Sequence, residues 1–330
     1  MELKWKILMG IVTGALVLTG CGEESGSNNS EAEEEYPTQS ISLTVPFSSG
    51  DSSDLSSRVF TDFAEEELGE SISVENRDGA GGSIGHSEAA QAKADGYTLL
   101  TGSSGAMTIQ PYTSDVGYTY EDFEPIGNMV EIPIALAVPE DSPYETLDEF
   151  MQEAENQPGE LTYATPGTGV TQHIMMESMA QEYEVDLTHM PQDGGSDAVS
   201  QAVGGHVDAV AVGATQVVSQ HESGDLKVLG VTSEEQYENL PDVPTFQEQD
   251  YDVNTTVWFG LFAPAGTPEN VIESLSSTLE NASENEEVLE QWKDLNLNPA
   301  YQDRDEFQTM IEEQAEQNKN VVEEIGLGAE

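Results

Sequence analysis

Strand-like and helix-like segments alternate along this chain from Gln39 onward, and that alternation restricts its fold more than any other feature. The segment SISLTVPF reads as a strand, and DLSSRVFTDFAEEELG repeats apolar residues at helical spacing. We expect Ser53 or Asp54 to cap this helix and Gly69 to end it. Strand signals recur in ISVEN, TLLTG, LTYAT, VDAVAVG and LKVLGVTS, with helical segments between them. The sequence therefore predicts an α/β protein with mainly parallel sheets.

The length of the chain indicates two lobes. About 290 residues follow the N-terminal region, which is more than one small core needs. We predict lobe 1 at 39–131 plus 265–330 and lobe 2 at 140–257. Two apolar segments, IPIALAVP (132–139) and WFGLFAP (258–264), are predicted to cross between the lobes.

The N-terminal region reads as an export signal and a tether. In residues 1–20, two lysines precede an apolar stretch that is too short to span a bilayer, as in a signal peptide. The stretch ends in LTGC, which resembles the lipobox of bacterial lipoproteins. We expect Cys21 to carry lipid and hold the protein at the outer face of a membrane. An unmodified thiol is the alternative. Residues 21–38 are acidic and poor in large apolar side chains, which predicts a disordered tether.

Acidic residues dominate the composition. The chain has 64 Asp plus Glu against 9 Lys plus Arg, a formal net charge of −55 at pH 7. We therefore expect no nucleic-acid partner, because phosphate binding requires clustered Lys and Arg. Self-repulsion of this size opposes folding at low ionic strength and is screened in molar salt, where the Debye length is about 3 Å. The charge favours a salt-loving source over an ordinary acidic secreted protein.

Four loops stand at the expected starts of helices, and all are rich in Gly, Ser and Thr. They are PFSSGDSSD (46–54), TGSSGAM (101–107), TPGTGVTQH (165–173) and PQDGGSDA (191–198). Helix N-termini at this edge of a parallel sheet favour anions. None of the four loops contains Lys or Arg, so an anion there would be held by neutral donors and helix dipoles. The alternative for each loop is an ordinary capped turn.

Several motifs, in order, resemble one family. The segments ISLTVPFSSGDSSD, VENRDGAGGSIG and ADGYTLLTGSSG are followed by THMPQDGG, GGHVDAV, LPDVPTFQE and WFGLFAPAGTP. This series is similar to that of the extracytoplasmic solute receptors of tripartite tricarboxylate transporters, the Bug or TctC-like proteins. The resemblance runs from about Ile41 to the C-terminus.

The resemblance implies a type II periplasmic-binding-protein fold, in which two α/β lobes joined by crossing strands close around a small organic carboxylate. It also implies delivery of that ligand to a membrane permease, by a protein that is not an enzyme and has no cofactor. We expect a monomer. The residues that match the ligand-binding positions of the family are Phe47, Ser48, Ser49, Asp54, Ser103, Ser104, Gly105, Thr168, Gly169, Thr171, Gly194, Gly195, Asp197 and Asp208.

Departures from the family pattern bear on the ligand. Ser49 and Asp51 replace a proline and a glycine in the first loop, and Gln192 and Asp193 replace a tyrosine and a lysine in the later loop. Added acids disfavour a highly charged tricarboxylate. We therefore expect a mono- or dicarboxylate, with amino acids among the candidates because an acid can pair with an amine. The alternative is that both aspartates lie in solvent as part of the acidic surface.

Other classes of function are weakly supported. The segment GSSGA lacks the spacing of a nucleophile elbow, and GAGGSIG lacks that of a dinucleotide-binding turn. The five histidines show no metal-binding spacing. Two alternatives stay open. A receptor for a sensor kinase would be encoded beside a kinase, and a hydrolase or transferase on the same fold would turn over carboxylate esters or amides.

Overall fold

The computed structural model describes residues 36–233 and 235–328. The strands are β1 (Ile41–Val45), β2 (Ile72–Asn76), β3 (Thr98–Ser103), β4 (Phe123–Pro139), β5 (Thr162–Thr165), β6 (Thr188–Pro191), β7 (Ala209–Gly213), β8 (Leu226–Val231), β9 (Thr256–Pro264) and β10 (Asn298–Gln302). The helices are α1 (Ser52–Leu68), α2 (Ser83–Ala90), α3 (Ser104–Thr108), α4 (Gln110–Thr113), α5 (Leu147–Asn156), α6 (Thr171–Glu182), α7 (Gly195–Val203), α8 (Val218–Ser223), α9 (Glu269–Glu284), α10 (Glu286–Asp294) and α11 (Arg304–Glu324).

The first sheet combines parallel and antiparallel strands. β1 lies between β2 and β3 and is parallel to both. β9 then lies antiparallel between β3 and β4, and β10 pairs antiparallel with β4. The prediction of mainly parallel sheets was therefore incomplete, because the sequence pattern of β4 and β9 does not reveal their direction.

The second sheet shares β4 with the first. Up to Pro133, β4 pairs with β9, and from Ile134 onward it pairs with β7 and β8. β5 lies between β6 and β7 and is parallel to both. The segment 132–139 thus contains the point at which β4 passes between the sheets. The segment 258–264 instead lies within β9, which pairs with the first sheet along its whole length.

Helix α1 shows how the loop after β1 becomes a helix start. Its N-cap is Asp51, two or three residues earlier than predicted, and the Asp51 side chain makes no capping hydrogen bond. The helix ends as predicted at Gly69, whose φ of 74° places it in the left-handed region that glycine tolerates best. The Asp51 carboxylate is therefore available for other contacts.

The core is formed by the shared strand, its neighbours and the helices that cover them. Met175, Met176 and Met179 on α6 are all buried in this core. Trp258 is fully buried against Phe307, and its indole N–H donates to Gln314 Oε1 at 2.7 Å. A buried apolar core therefore fixes the positions of the sheets and of the helices that pack on them.

Among the described residues, no helix has the length and apolar character that crossing a membrane requires. The predicted signal peptide, Cys21 and most of the 21–38 tether lie outside the described residues.

Candidate functional site

A cavity lies where the loops after β1, β3, β5, β6 and β7 meet beside β4 and β9. These loops follow the carboxyl ends of parallel strands, the edge at which α/β proteins bind ligands. The space among these residues is about 520 Å³, a figure that includes open solvent. The lining residues come from both sheets and are Phe47, Asp51, Ser52, Ser53, Ser103, Gly105, Ile132, Pro166, Val170, Thr171, Gln172, Gly195, Gly213, Gln216, Val257 and Phe259.

Three helices begin at this cavity. Ser52 and Ser53 open α1, Thr171 and Gln172 open α6, and Gly195 opens α7. None of the three has a side-chain cap: the Asp51 side chain makes no hydrogen bond to α1, and Val170 and Gly194, which precede α6 and α7, carry no side-chain acceptor. First-turn amides have no partner within their own helix, and they carry the positive end of the helix dipole. The cavity therefore offers several N–H donors that suit an anion.

A buried hydroxyl adds to these donors. Ser53 lines the cavity and is fully buried, and its Oγ has no hydrogen-bond partner among the described residues. A buried polar group without a partner costs free energy. The hydroxyl is thus free to donate to an acceptor bound in the cavity.

Asp51 gives the cavity its charge. It is the one ionisable side chain among the described lining residues, and it is 6% exposed. Gln216 Nε2 donates to Asp51 Oδ1 at 2.9 Å, and Ser196 Oγ lies 3.4 Å from the same oxygen. Burial, reinforced by the charges of Asp197 and Asp54, raises the pKa of Asp51 to about 6. The carboxyl is therefore mostly ionised at neutral pH, and its burial makes that ionised form unfavourable in free energy.

Hydrogen bonds connect the two walls of the cavity. The Ser52 and Thr215 hydroxyls are 2.8 Å apart, and the Ser104 and Thr171 hydroxyls are also 2.8 Å apart. Ser52 and Ser104 belong to helices of the first sheet, whereas Thr215 and Thr171 follow strands of the second. The walls are therefore in direct contact around the cavity.

Gly105 lies where the backbones of the two walls come close together. A Cβ atom on Gly105 would lie 2.9 Å from Thr171 N and 2.9 Å from Val170 Cα, both backbone atoms. Only a residue without a side chain allows helix α3 to meet the start of α6 at this distance.

Two phenylalanines provide the apolar part of the lining. The rings of Phe47 and Phe259 meet edge to face, with centroids 6.4 Å apart, and Ile132 and Val257 lie beside them in the wall. The Phe259 ring lines the cavity, where it can contact the apolar part of a ligand.

A stack of three rings, two of them buried, supports the loop that leads into α6. His173 and His189 stack with centroids 3.9 Å apart, and Tyr163 also stacks with His189, with centroids 5.0 Å apart. Gly169 N–H donates to His173 Nδ1 at 3.2 Å, and the Thr165 hydroxyl lies 2.7 Å from His189 Nε2. The stack thus holds both ends of the segment between β5 and α6.

These histidines should make the protein sensitive to acid. Burial lowers the pKa of His173 to about 4 and that of His189 to about 3, with the neighbouring ring adding to the second shift. Burial also lowers the pKa of His86 to about 4. Because the unfolded chain binds these protons first, the free energy of unfolding should fall as the pH falls from about 6.5 to about 4. Asp51, whose pKa is raised, contributes a smaller effect of opposite sign.

Urea unfolding at several pH values in molar salt measures this loss of stability. His173→Gln removes one buried titrating group, so its loss between pH 6.5 and pH 4.5 should be smaller by about 1–2 kcal/mol. An equal loss in the variant and the wild type would contradict the assignment.

The structure brings together some of the sequence-predicted residues and separates others. Five line the cavity: Phe47, Ser103, Gly105, Thr171 and Gly195. The others lie outside its lining: Ser48, Ser49, Asp54, Ser104, Thr168, Gly169, Gly194, Asp197 and Asp208. Of this second set, Ser104 still hydrogen-bonds a lining residue, and Thr168 lines a separate surface cavity together with Asp193.

Two of the predicted acids have partners elsewhere. Asp54 accepts hydrogen bonds from Arg58, from Gly50 N–H and from Asn76. Burial opposes ionisation there, but these hydrogen bonds prevail and lower the pKa of Asp54. The carboxylate thus stabilises the loop after β1.

Asp208 lies at the other end of the second sheet. Asp208 directly precedes β7, and Thr162 begins β5. Asp208 Oδ2 accepts from the Thr162 N–H at 2.8 Å and from the Thr162 hydroxyl at 2.7 Å. The cavity lies beyond the opposite, carboxyl ends of these strands. Asp208 therefore pairs strands and does not face the cavity.

Several lining residues were not predicted. Gln172 and Ser53 sat inside loops that the sequence did single out, next to residues that matched the family. Gln216 lies in a short turn after β7. In the sequence this segment looks like the beginning of an ordinary helix, so nothing nearby indicated a binding role for Gln216. The position of Asp51, left open by the sequence, is inside the cavity, whereas Asp193 is exposed.

In the part of the chain that the structure describes, no group of three or more His, Cys, Asp or Glu side chains is arranged to hold a metal ion.

Comparisons with known proteins agree with this architecture. A family model described as "Tripartite tricarboxylate transporter family receptor" matches residues 56–327. A Pseudomonas protein named "UPF0065 protein in tcbD-tcbE intergenic region" is 31% identical over 329 residues, covering 98% of this chain and 95% of the relative.

Two solved structures from Rhodopseudomonas palustris are also similar. Rpa4515 with adipate is 26% identical, covers 89% of this chain and 99% of its own, and has a TM-score of 0.84. MatC with bound malate is 27% identical, covers 87% of this chain and 100% of its own, and has a TM-score of 0.80.

These similarities confirm the predicted fold class, a periplasmic-binding-protein fold of two lobes joined by crossing strands around a cleft. They also identify a family of extracytoplasmic solute receptors and not of enzymes. With a family model that matches most of its length and a fold shared with such receptors, the chain belongs to the tripartite tricarboxylate transporter receptor family.

Proposed function

We propose that this receptor captures a small organic carboxylate, either a mono- or a dicarboxylate, in the cavity described above. The observation that carries the proposal is the meeting of three uncapped helix N-termini at one cavity. Hydroxyl groups of Ser53 and Thr171 supplement the backbone donors. The cavity thus resembles an anion site built from dipoles, without Lys or Arg among its described lining residues.

The bound ligands of similar proteins support this class. The neighbouring structures contain adipate and malate, both of which are small carboxylates. A tricarboxylate fits less well, because the lining offers no cationic side chain and Asp51 would repel an added charge. The permease of a tripartite tricarboxylate transporter is the proposed recipient of the ligand, and the family relationship supports this role.

The proposed location follows from the N-terminal sequence. Cys21, in its lipobox-like context, would anchor a monomeric receptor at the outer face of the membrane. Residues 36–38, the end of the predicted 21–38 tether, instead pack on the folded chain, where the Tyr36 hydroxyl donates to Gly96 O at 2.6 Å. Metabolic labelling with a fatty-acid analogue, compared between the wild type and Cys21→Ser, tests the anchor.

Thermal-shift screening of the purified protein in molar salt tests the ligand class. Mono- and dicarboxylates, including adipate, malate, lactate and amino acids, should raise the unfolding midpoint, because a ligand that binds only the folded state stabilises it. Thr171→Ala should weaken binding of the active carboxylate by about fivefold to tenfold through loss of one hydroxyl contact.

The control for this variant is Thr309→Ala, which removes an exposed hydroxyl on α11 and should leave affinity unchanged. A screen in which sugars or cations shift the midpoint and no carboxylate does would refute the proposed ligand class.

A further inference from the structure

The side chain of Asp51 contacts residues of the second sheet instead of capping its own helix, α1. It precedes α1 of the first sheet, yet its Oδ1 is held by Gln216 and Ser196, which belong to the second. Its other oxygen, Oδ2, makes no hydrogen bond to the described residues. One carboxylate oxygen is therefore fixed in position, and the other is left for a ligand.

No cation of the described residues neutralises Asp51. The two acids near it, Asp54 and Asp197, add negative potential, and Arg58 is already committed to Asp54 at 2.8 Å. A buried carboxylate without a counter-ion is unfavourable, and a positively charged partner removes that cost. The electrostatics at this end of the cavity therefore favour a cation.

The donors for an anion at the start of α6 make no hydrogen bond to Asp51. Thr171 and Gln172 begin α6 beside Ser104 and Gly105, whereas Asp51 contacts Gln216 and Ser196. The unpartnered hydroxyl of Ser53, fully buried in the lining, is a further donor. The cavity thus has a positive pole made of amides and hydroxyls and a negative pole made of one carboxylate.

We propose that Asp51 is a specificity-determining residue that makes this receptor select zwitterionic ligands, namely carboxylates that also carry an ammonium group. The ligand ammonium donates to Asp51 Oδ2, and the ligand carboxylate accepts from the first-turn amides and the Ser53 hydroxyl. This inference rests on the proposed capture of a carboxylate in the same cavity, and it names the class of carboxylate. A hydroxy acid of the same shape lacks the charge that Asp51 requires.

Matched ligand pairs test the inference. L-alanine and L-lactate, and likewise L-aspartate and L-malate, differ only by an ammonium group in place of a hydroxyl group. Calorimetric titration of the wild type should show at least a tenfold lower Kd for the amino acid of one pair. Asp51→Asn keeps the shape and the Gln216 contact but removes the charge, so it should weaken that amino acid at least tenfold and leave the hydroxy acid unchanged or tighter.

The control is Asp62→Asn, which makes the same change of charge at an exposed position of α1 and should keep the wild-type preference. Wild-type protein that binds the hydroxy acids as tightly as the amino acids overturns the inference, even if Asp51→Asn does not fold. An unchanged preference in folded Asp51→Asn also overturns it. Both results leave carboxylate capture intact, whereas failure of every carboxylate to bind refutes the proposed function itself.

Discussion

Replacing Gly105 with alanine should reduce ligand affinity by roughly fivefold to 150-fold without unfolding the protein. The added methyl group would lie 2.9 Å from two backbone atoms at the start of α6, on the opposite wall of the cavity. Backbone atoms cannot rotate away, so the walls must separate, and overpacking of this kind costs about 1–3 kcal/mol. Alanine itself favours helix α3, so the first sheet and its helices should keep their stability.

The measurement is calorimetric titration with the carboxylate that gives the largest thermal shift, together with the unfolding midpoint in the absence of ligand. Gly328→Ala is the matched control, because a methyl group there would meet no atom within 4 Å. Affinity equal to that of the wild type would show that the closed contact between α3 and α6 is not needed for binding.

The unfolding midpoint should rise by at least about 10 °C between low salt and about 2 M KCl, an effect of several kcal/mol. The net charge is −55, and the described ion pairs of Arg58, Arg77, Lys227 and Arg304 leave most of the acids without a cation. Salt therefore screens the repulsion between acidic side chains, which folding brings closer together.

A charge-reduced variant separates screening from the general effect of salt on apolar burial. Glu312, Glu313 and Glu316 are exposed on α11, and changing all three to glutamine removes repulsion without touching the core. This variant should gain stability mainly at low salt and show a smaller rise with KCl. A fold that is equally stable at millimolar and molar salt would refute the inference of a salt-loving protein.

Local signals explain which features the sequence could predict. The strands ISVEN and TLLTG and the stop at Gly69 appear nearly where expected, because alternation and left-handed glycine are properties of a few neighbouring residues. The antiparallel direction of β9 could not be read, since pairing of β9 with β3 and β4 joins segments far apart in sequence.

The same distinction applies to the cavity. The loops that begin α1, α6 and α7 were identified from composition, because Gly, Ser and Thr at helix starts have a local meaning. Asp51 and Gln216 could not be paired from the sequence, because 165 positions separate them and only the fold brings them to 2.9 Å. Asp54 and Asp208 matched family positions, yet neighbouring donors turn both away from the cavity.

The shared strand β4 has a mechanical consequence. It is hydrogen-bonded to β9 along its first part and to β7 and β8 along its last, so both sheets are attached to one continuous piece of backbone. A change of angle between the sheets must then be absorbed as twist near Pro133 and Ile134, where the strand changes partners. Any such change would therefore strain the hydrogen-bonded backbone of β4, which would resist it.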